Sequence, residues 1–483
     1  MVAVMKGVKS ILVNRRNVSL WFVFAVLSAA FFALEATHFR YSVSDENTYI
    51  YMAKAVSEGQ LPYRDFFLAH PPLDILFLAL VYAVFGFNLF VLKATSPLLI
   101  ILAAAFLFKL VRDKAGGKEA VIAASLFYFS YDALRFSTFA VWIVMSTALI
   151  VISIFFALNK RYVVAGVIMA AACLTGLFSL FGALAAMAYL FVADRKGLVR
   201  FAAAFLAVFV TANIVLLLLF KGSYVESVYY YHFAKPAEGT NKAALFFQFA
   251  KVNPVLAGFA LLFLFSRQKM RHLFVFSGLI VAAYGFALMF LVGKVFVYYF
   301  LPLIPFLAII GAHGASDMIE RAGNRRSQAF AFVATAIIVS SLISGYYFLA
   351  NTFQDFEDAG KIASYIRANS LPSDTIFGDD SITPLLAILS ERKIAFSMID
   401  SNSLRWRSGL LDINDTIVQI KQQRVRFVIE RRLNDGRGSF IYGAAYIDRF
   451  KAFLNGECRP EANFSTAWKN YYKEYYIYDC RGE

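Results

Sequence analysis

The sequence predicts a polytopic α-helical membrane protein that ends in a small soluble α/β domain. Three observations carry this. First, 60% of the 483 residues are hydrophobic and only 16% are charged, against roughly 25% charged in an ordinary soluble domain. Second, the deficit is uneven: long apolar runs fill residues 18–350, and polar residues gather between them and after residue 351. Third, Lys and Arg fall in short clusters between the runs, where charges on the cytoplasmic side of a membrane belong. The 52 Phe and 26 Tyr suit lipid contact and aromatic belts at the membrane interface. The net charge of +15 does not mark a nucleic-acid binder, because no basic face with interleaved aromatics appears on a soluble fold.

The spans follow in order. Met1–Asn17 carries Lys6, Lys9, Arg15 and Arg16 and precedes an apolar run, Val18–Leu34. That run is long for a signal peptide and lacks a clear cleavage site, so it reads as a retained first span. Leu73–Phe85 is too short to cross and reads as interfacial or re-entrant. Phe87–Leu110 crosses inward to Lys109, Arg112, Lys114 and Lys118. Glu119–Phe136 leads out and Phe139–Leu158 returns to Lys160 and Arg161. Tyr162–Phe178 and Leu180–Ala193 form the next pair, ending at Arg195 and Lys196. Leu198–Phe220 leads to a polar loop, 221–250, and Val252–Phe265 returns to Arg267, Lys269 and Arg271. Leu273–Leu291, Val295–His313 (followed by Arg321, Arg325 and Arg326) and Ala329–Leu349 complete about eleven spans.

With this count every dense basic cluster lies on one side, the cytoplasmic side of a cell membrane, with the N-terminus. Counting Leu73–Phe85 as a span would put the clusters outside. Residues 1–350 then form the membrane domain. The loops 38–72 and 221–250, Lys294 and the extracytoplasmic domain 351–483 share the outer face.

In that domain, Phe356, Ala359, Ile362, Ala363 and Ile366 recur at helical spacing, and Leu371-Pro372 stops the helix. Thr375–Gly378 and Ile394–Ile399 read as buried strands around a helix, Pro384–Ser390. Asp415 is a candidate cap for a helix through Gln423. Val425–Ile429 and Tyr472–Tyr478 read as further strands, and the alternation suggests parallel pairing. No phosphate loop, metal-ligand spacing or nucleophile elbow appears, so the domain reads as an accessory or acceptor-contacting cap. Cys458 and Cys480 can pair in an oxidising compartment or remain two free thiols; Cys173 lies in a membrane run.

The outer loop 38–72 holds an unusual density of ionisable groups for a membrane mouth: Asp45, Glu46, Arg64, Asp65 and His70. Ser44 is a candidate N-cap, with Asp45, Glu46 and Asn47 in the first turn of an amphipathic helix marked by Tyr49, Met52, Ala53 and Val56. Helix-start chemistry alone explains an acidic pair there. Charges folded against a membrane are costly without a task or a partner.

The Asp45-Glu46 pair after the first span, then Pro62-Tyr63-Arg64-Asp65-Phe66-Phe67 and His70-Pro71-Pro72-Leu73, resembles the GT-C membrane glycosyltransferases. The resemblance is to the protein O-mannosyltransferase and lipid A aminoarabinose transferase group. It covers roughly residues 10–350 and includes Gly293-Lys294-Val295-Phe296-Val297-Tyr298-Tyr299-Phe300-Leu301-Pro302. It implies a polyprenyl-phosphate-linked sugar donor, a lipid, glycan or protein acceptor, and surrounding membrane lipids as partners. Asp45 matches the catalytic carboxylate, a base for the acceptor hydroxyl. Glu46 would position it or help hold a divalent cation, for which His232 is a second candidate ligand. His70, where relatives often carry Lys, and Lys294 would hold the lipid phosphate, and Arg64 would clamp it. Tyr298 belongs to the matching late segment. Tyr229, Tyr230, Tyr231 and His232 would line the sugar or lipid pocket, or else form an interfacial belt.

Two departures stand out. The group's second acidic residue, early in the fourth span, is absent from Phe139-Ala140-Val141-Trp142; Asp132 is the nearest substitute, unless it pairs with Arg135. The basic residue near the fifth and sixth spans is also missing, where Thr175–Ser179 stands. The leading expectation is therefore an inverting glycosyltransferase working on the outer face. The alternatives are a transporter or flippase of a lipid-linked substrate and a catalytically inactive relative. A transporter predicts ionisable residues within the spans and internal repeats, and neither is evident.

Overall fold

The computed structural model describes residues 2–236, 241–266 and 272–481, with side chains from residue 18 onward. The basic cluster at Arg267, Lys269 and Arg271 lies outside the described residues.

Helices dominate the first 350 residues. The first four are α1 (Val2–Ala36), α2 (Glu46–Ser57), α3 (Leu73–Phe85) and α4 (Leu89–Lys114), followed by α5 (Gly117–Tyr128), α6 (Tyr131–Ser137) and α7 (Trp142–Leu158). Then come α8 (Tyr162–Thr175), α9 (Ser179–Ala193), α10 (Arg195–Val225), α11 (Tyr231–Ala234), α12 (Lys242–Val252) and α13 (Pro254–Leu262). The bundle closes with α14 (His272–Phe286), α15 (Ile304–Arg321) and α16 (Arg326–Leu349).

Six described helices are long and apolar enough to cross a membrane, or eight if two sharply bent pairs each count as one span. This differs from the expected eleven for local reasons. The expected third span, Glu119–Phe136, is two helices, because the chain leaves helical geometry at Ser130 (ψ 141°). The second of them, α6, meets α7 at a bend of 119°. The fifth and sixth, α8 and α9, have 14 and 15 residues, short of a full crossing. Leu73–Phe85 forms a helix with the expected bounds. It buries Asp74, Ile75, Leu78 and Ala79 and leaves Leu76, Leu80, Val84 and Phe85 exposed.

The expected polar loop 221–250 is largely helical. Lys221, at φ 51°, breaks α10. A π turn, Glu226–Tyr230, then leads into α11, and α12 begins at Lys242.

The tail contains α17 (Ala359–Ala368), β1 (Thr375–Gly378), α18 (Thr383–Ser390), β2 (Lys393–Ile394), α19 (Ser403–Arg407) and α20 (Ile413–Gln422). After these come β3 (Phe427–Asn434), β4 (Ser439–Ile441), α21 (Asp448–Glu457), β5 (Arg459–Trp468) and β6 (Tyr471–Asp479). The sheet order is β2-β1-β3-β6-β5, with β4 on β3. The parallel pairing expected throughout holds only for β2-β1-β3; β6 and β5 run antiparallel as a hairpin. The expected strand Ile394–Ile399 shrinks to two residues because Phe396 and Ser397 turn to positive φ. Asp412, rather than Asp415, caps α20 by accepting from the backbone N–H of Asn414 and Asp415. Cys458 and Cys480 form a disulfide that ties the start of β5 to the end of β6.

Three buried clusters form the core. One lies among the membrane helices and one lies on the far side of the sheet. The third runs without interruption from Ile50 and Tyr51 of α2 and Leu78 of α3 to Ile362, Leu386 and Ile429 of the tail. Polar contacts follow the same seam. Val43 N–H donates to Gln354 O (2.6 Å), Asn47 Nδ2 to Ser381 O (2.6 Å) and Thr48 Oγ1 to Asp380 O (2.8 Å). The amphipathic helix of the first loop thus packs against the tail domain as well as the bundle.

Candidate functional site

That seam frames a cleft of about 240 Å³. Asp45, Tyr49, Phe139, Trp142, Tyr298, Ser381 and Arg431 line it, so the first loop, the α6–α7 bend, the segment before α15 and the tail domain each supply a wall.

Asp45 sits at the N-cap position of α2, in place of the expected Ser44. Its backbone there is helical (φ −59°, ψ −22°), so its side chain does not turn back to cap the helix. The carboxylate is left open to the cleft. Enclosure by protein lifts it to about 6, and Asp400 and Asp379 push the same way against the pull of Arg431 and Lys235. Ser44 instead shares a hydrogen bond with Ser42, 3.1 Å away.

Glu46 also borders the cleft but is buried. It forms a fully buried ion pair with Lys93 of α4 (2.6 Å) and accepts from Ser42 Oγ. Glu46 therefore anchors the start of α2. His232 donates its Nε2–H to Ala69 O (2.7 Å), which leaves Nδ1 to face Lys235 Nζ at 3.4 Å. These two candidate metal ligands do not converge. Among the described residues no group of three His, Cys, Asp or Glu side chains is arranged to hold an ion.

His70 is buried between Trp142 (ring centroids 4.5 Å) and His232 (5.2 Å), with Tyr49 at 6.5 Å. Burial holds its pKa well below the usual histidine range, and His232 and Lys235 push it the same way. That shift disfavours the cationic form in which His70 was expected to hold the phosphate. Lys235 is a further cation close by, 3.4 Å from His232 Nδ1. Its ammonium lies over the Tyr231 ring (4.2 Å). Burial brings it down to about 8, Asp400 and Asp45 support its charge, and Lys294 opposes it. Lys294 stands over the Phe296 ring at 5.5 Å. Tyr298 lines the cleft within electrostatic reach of Asp45.

Two expected residues lie elsewhere. Arg64 is exposed and pairs side-on with its neighbour Asp65 (2.7 and 2.9 Å); adjacent in sequence and outside the cleft, they satisfy each other. Asp132 accepts from Asn253 Nδ2 (2.9 Å) and ties α6 to α13. It is not among the residues lining the cleft. Tyr231 packs edge-on against Phe67 (5.2 Å) beside Lys235, whereas Tyr229 bonds Asn213 and Tyr230 is exposed.

The tail domain supplies what the sequence reading omitted. Gly378 ends β1 at φ 154°, where a Cβ would stand 2.1 Å from Ile429 O, and the chain turns directly into Asp379 and Asp380. Arg431 Nε holds Asp379 at 3.1 Å. Burial, with Asp379, Asp400 and Asp45 adding to it, pushes Asp380 well up. Arg405 of α19 covers the Phe67 ring at 4.0 Å. One available signal was the carboxyl end of a parallel strand, where α/β sheets gather function. A second was Lys93, a lone cation in an apolar run.

No protein-family model and no curated protein matches this chain. Solved structures do. Over 96% of this chain and 98% of the other, it superimposes on ArnT from Cupriavidus metallidurans in the apo state, with TM-score 0.70 and 12% identity. The undecaprenyl-phosphate-bound form of that protein gives TM-score 0.66 and 14% identity over 95% and 98% of the two chains. The apo oligosaccharyltransferase of Archaeoglobus fulgidus gives 0.59 and 11% over 92% and 79%. The chain has the fold of these GT-C membrane proteins, and with its long apolar helices it is a multi-pass membrane protein.

Proposed function

We propose that the protein is an inverting glycosyltransferase that moves a sugar from a polyprenyl-phosphate carrier to an acceptor hydroxyl at the outer membrane face. The observation that carries this is Asp45. It is an uncapped carboxylate in an open cleft, poised near neutrality beside Lys235. The undecaprenyl phosphate bound by the structural neighbour supports a lipid-phosphate donor.

In this reading Asp45 accepts the proton of the acceptor hydroxyl as its oxygen bonds to the anomeric carbon. The bond from that carbon to the phosphate oxygen breaks on the opposite side. The electron pair leaves with the polyprenyl phosphate, whose charge Lys235 and Lys294 offset. His70 serves as a hydrogen-bonding wall. Arg431 keeps Asp379 paired, and Asp400 keeps Lys235 charged. The N-terminus is cytoplasmic, and the tail domain with its disulfide faces an oxidising compartment.

Asp45→Asn keeps the shape of the side chain and removes the base. Transfer from a polyprenyl-phosphate sugar should fall by about 10²–10⁴-fold, with donor binding retained. Unimpaired turnover of this variant would exclude the mechanism.

A further inference from the structure

The last long apolar helix, α16, ends at Leu349, and its final turn directs Tyr346 and Tyr347 outward, 67% and 59% exposed. A tyrosine pair at the end of an apolar span marks the level of the lipid headgroups, where a ring can lie in hydrocarbon and its hydroxyl in water. Thr352 follows three residues later, a stretch of chain that reaches at most about 11 Å. The tail domain comes back to the chain at this residue. Trp468 Nε1–H donates to Thr352 Oγ1 (3.0 Å), and Lys473 Nζ donates to Thr352 O (3.3 Å) and Asp355 O (2.9 Å). Phe353, exposed, packs edge-on against the Trp468 ring at 4.8 Å.

Trp468 ends β5 and pairs with Tyr471 at the start of β6, so Lys469 and Asn470 alone make the turn between the strands. Both are exposed, as is Tyr472. Lys469 stands at φ 52°, where a two-residue turn usually takes Gly or Asn. Its ammonium lies over the Trp468 ring at 4.6 Å. The turn thus presents aromatic rings and one flexible cation, and it is fastened to the chain just beyond a membrane helix. Four residues along β6 from the turn, Tyr475 pairs with Arg431, a wall of the cleft.

We propose that the β5–β6 turn is seated in the interfacial layer of the leaflet from which α16 emerges, with Trp468 and Tyr472 among the headgroups. Rings with a polar end suit that layer, and the Lys469 stem can lie along them while its ammonium reaches water. A bilayer is the occupant because the exposed rings of the turn are joined, through Thr352 and Phe353, to those at the end of a membrane helix. The turn would be a second fastening of the tail domain, beside the seam with α2, and it would help hold Arg431 at a fixed height over the cleft. This inference needs only the membrane helices and stands apart from the transfer reaction.

The test uses the full-length protein in phosphatidylcholine nanodiscs, with a nitroxide label at Asn470→Cys in one sample and at Lys451→Cys in another. Lys451 is exposed on α21, whose core residues pack on the far side of the sheet. The native cysteines do not compete, since Cys173 is buried and the other two form the disulfide. Power saturation then compares collision with oxygen, which concentrates in lipid, and with a water-soluble nickel chelate. The ratio of oxygen to chelate accessibility should be several-fold higher at position 470 than at 451. Equal ratios would place the turn in water and overturn the proposal. A label at 470 shielded from both reagents would mean that protein covers the turn, and would overturn the assignment to lipid.

Discussion

Although Asp45 opens to the cleft, desolvation by the protein around it drives it up, two neighbouring aspartates add to the rise, and Arg431 and Lys235 draw it back, so the group stands at about 6. Lys235 stands at about 8 by the opposite balance. The proposed transfer needs Asp45 deprotonated and Lys235 protonated. Activity should therefore rise as pH passes upward through about 6 and fall as it passes about 8. A profile of kcat/KM against pH checks both limbs, and a flat profile from pH 5 to 9 would count against both roles. Glu46 makes a different kind of prediction. Its pair with Lys93 is buried on both sides, and removing one partner of such a pair costs about 3–5 kcal/mol. Lys93→Met should lower thermal stability by that order, and Lys93→Met combined with Glu46→Gln should restore much of it. At this scale the acidic pair, Lys294 and Tyr298 were legible as a short string of residue types. The downward shift of His70 was not, because it comes from burial and from His232 and Lys235, which are remote in sequence.

Helix ends position the site. Asp45 reaches the cleft because it occupies the cap position of α2 without capping it. Trp142 reaches it because α6 and α7 break apart at 119°. The loop between α8 and α9 closes on that ring through Gly176, where a Cβ would lie 2.1 Å from Trp142 Cε3. Gly176→Ala should push the indole toward His70, cost about 1–3 kcal/mol as overpacking and reduce transfer at unchanged expression. Thermal unfolding and turnover of the purified variant measure the two effects. Helix existence was legible from apolar periodicity and length. The break at Ser130 was not, since Glu119–Phe136 is apolar enough to pass as one span, and its second half, α6, packs instead against α16 and the segment before α15. Likewise, the strands Thr375–Gly378 and Tyr471–Asp479 announce themselves by β-branched and aromatic residues. The polar, alternating β5 is recognisable mainly once β6 pairs with it.

Across the whole molecule, the buried cluster from α2 to β3 joins the loop at the membrane mouth to the tail domain, and the tail acts on the site through charge. Asp400 raises Asp45 and also raises Lys235. Asp400→Asn should then lower both groups, so both limbs of the pH profile should move to lower pH together. A change in stability alone would not produce that paired shift, and an unmoved profile would remove the tail domain from the chemistry. The amino-acid sequence by itself determined that this is a multi-pass membrane protein with an α/β tail, and it pointed to Asp45. Apolar run length, local charge and short motifs are local quantities, and a chain displays them unfolded. Only the tertiary structure decided that Asp379, Asp400, Arg431 and Lys235 act on Asp45 through charge, that Arg64 pairs with Asp65 and that Asp132 accepts from Asn253. Those facts depend on which groups, hundreds of residues apart, the fold brings into one electrostatic neighbourhood, where desolvation and neighbouring charge decide what each side chain can do.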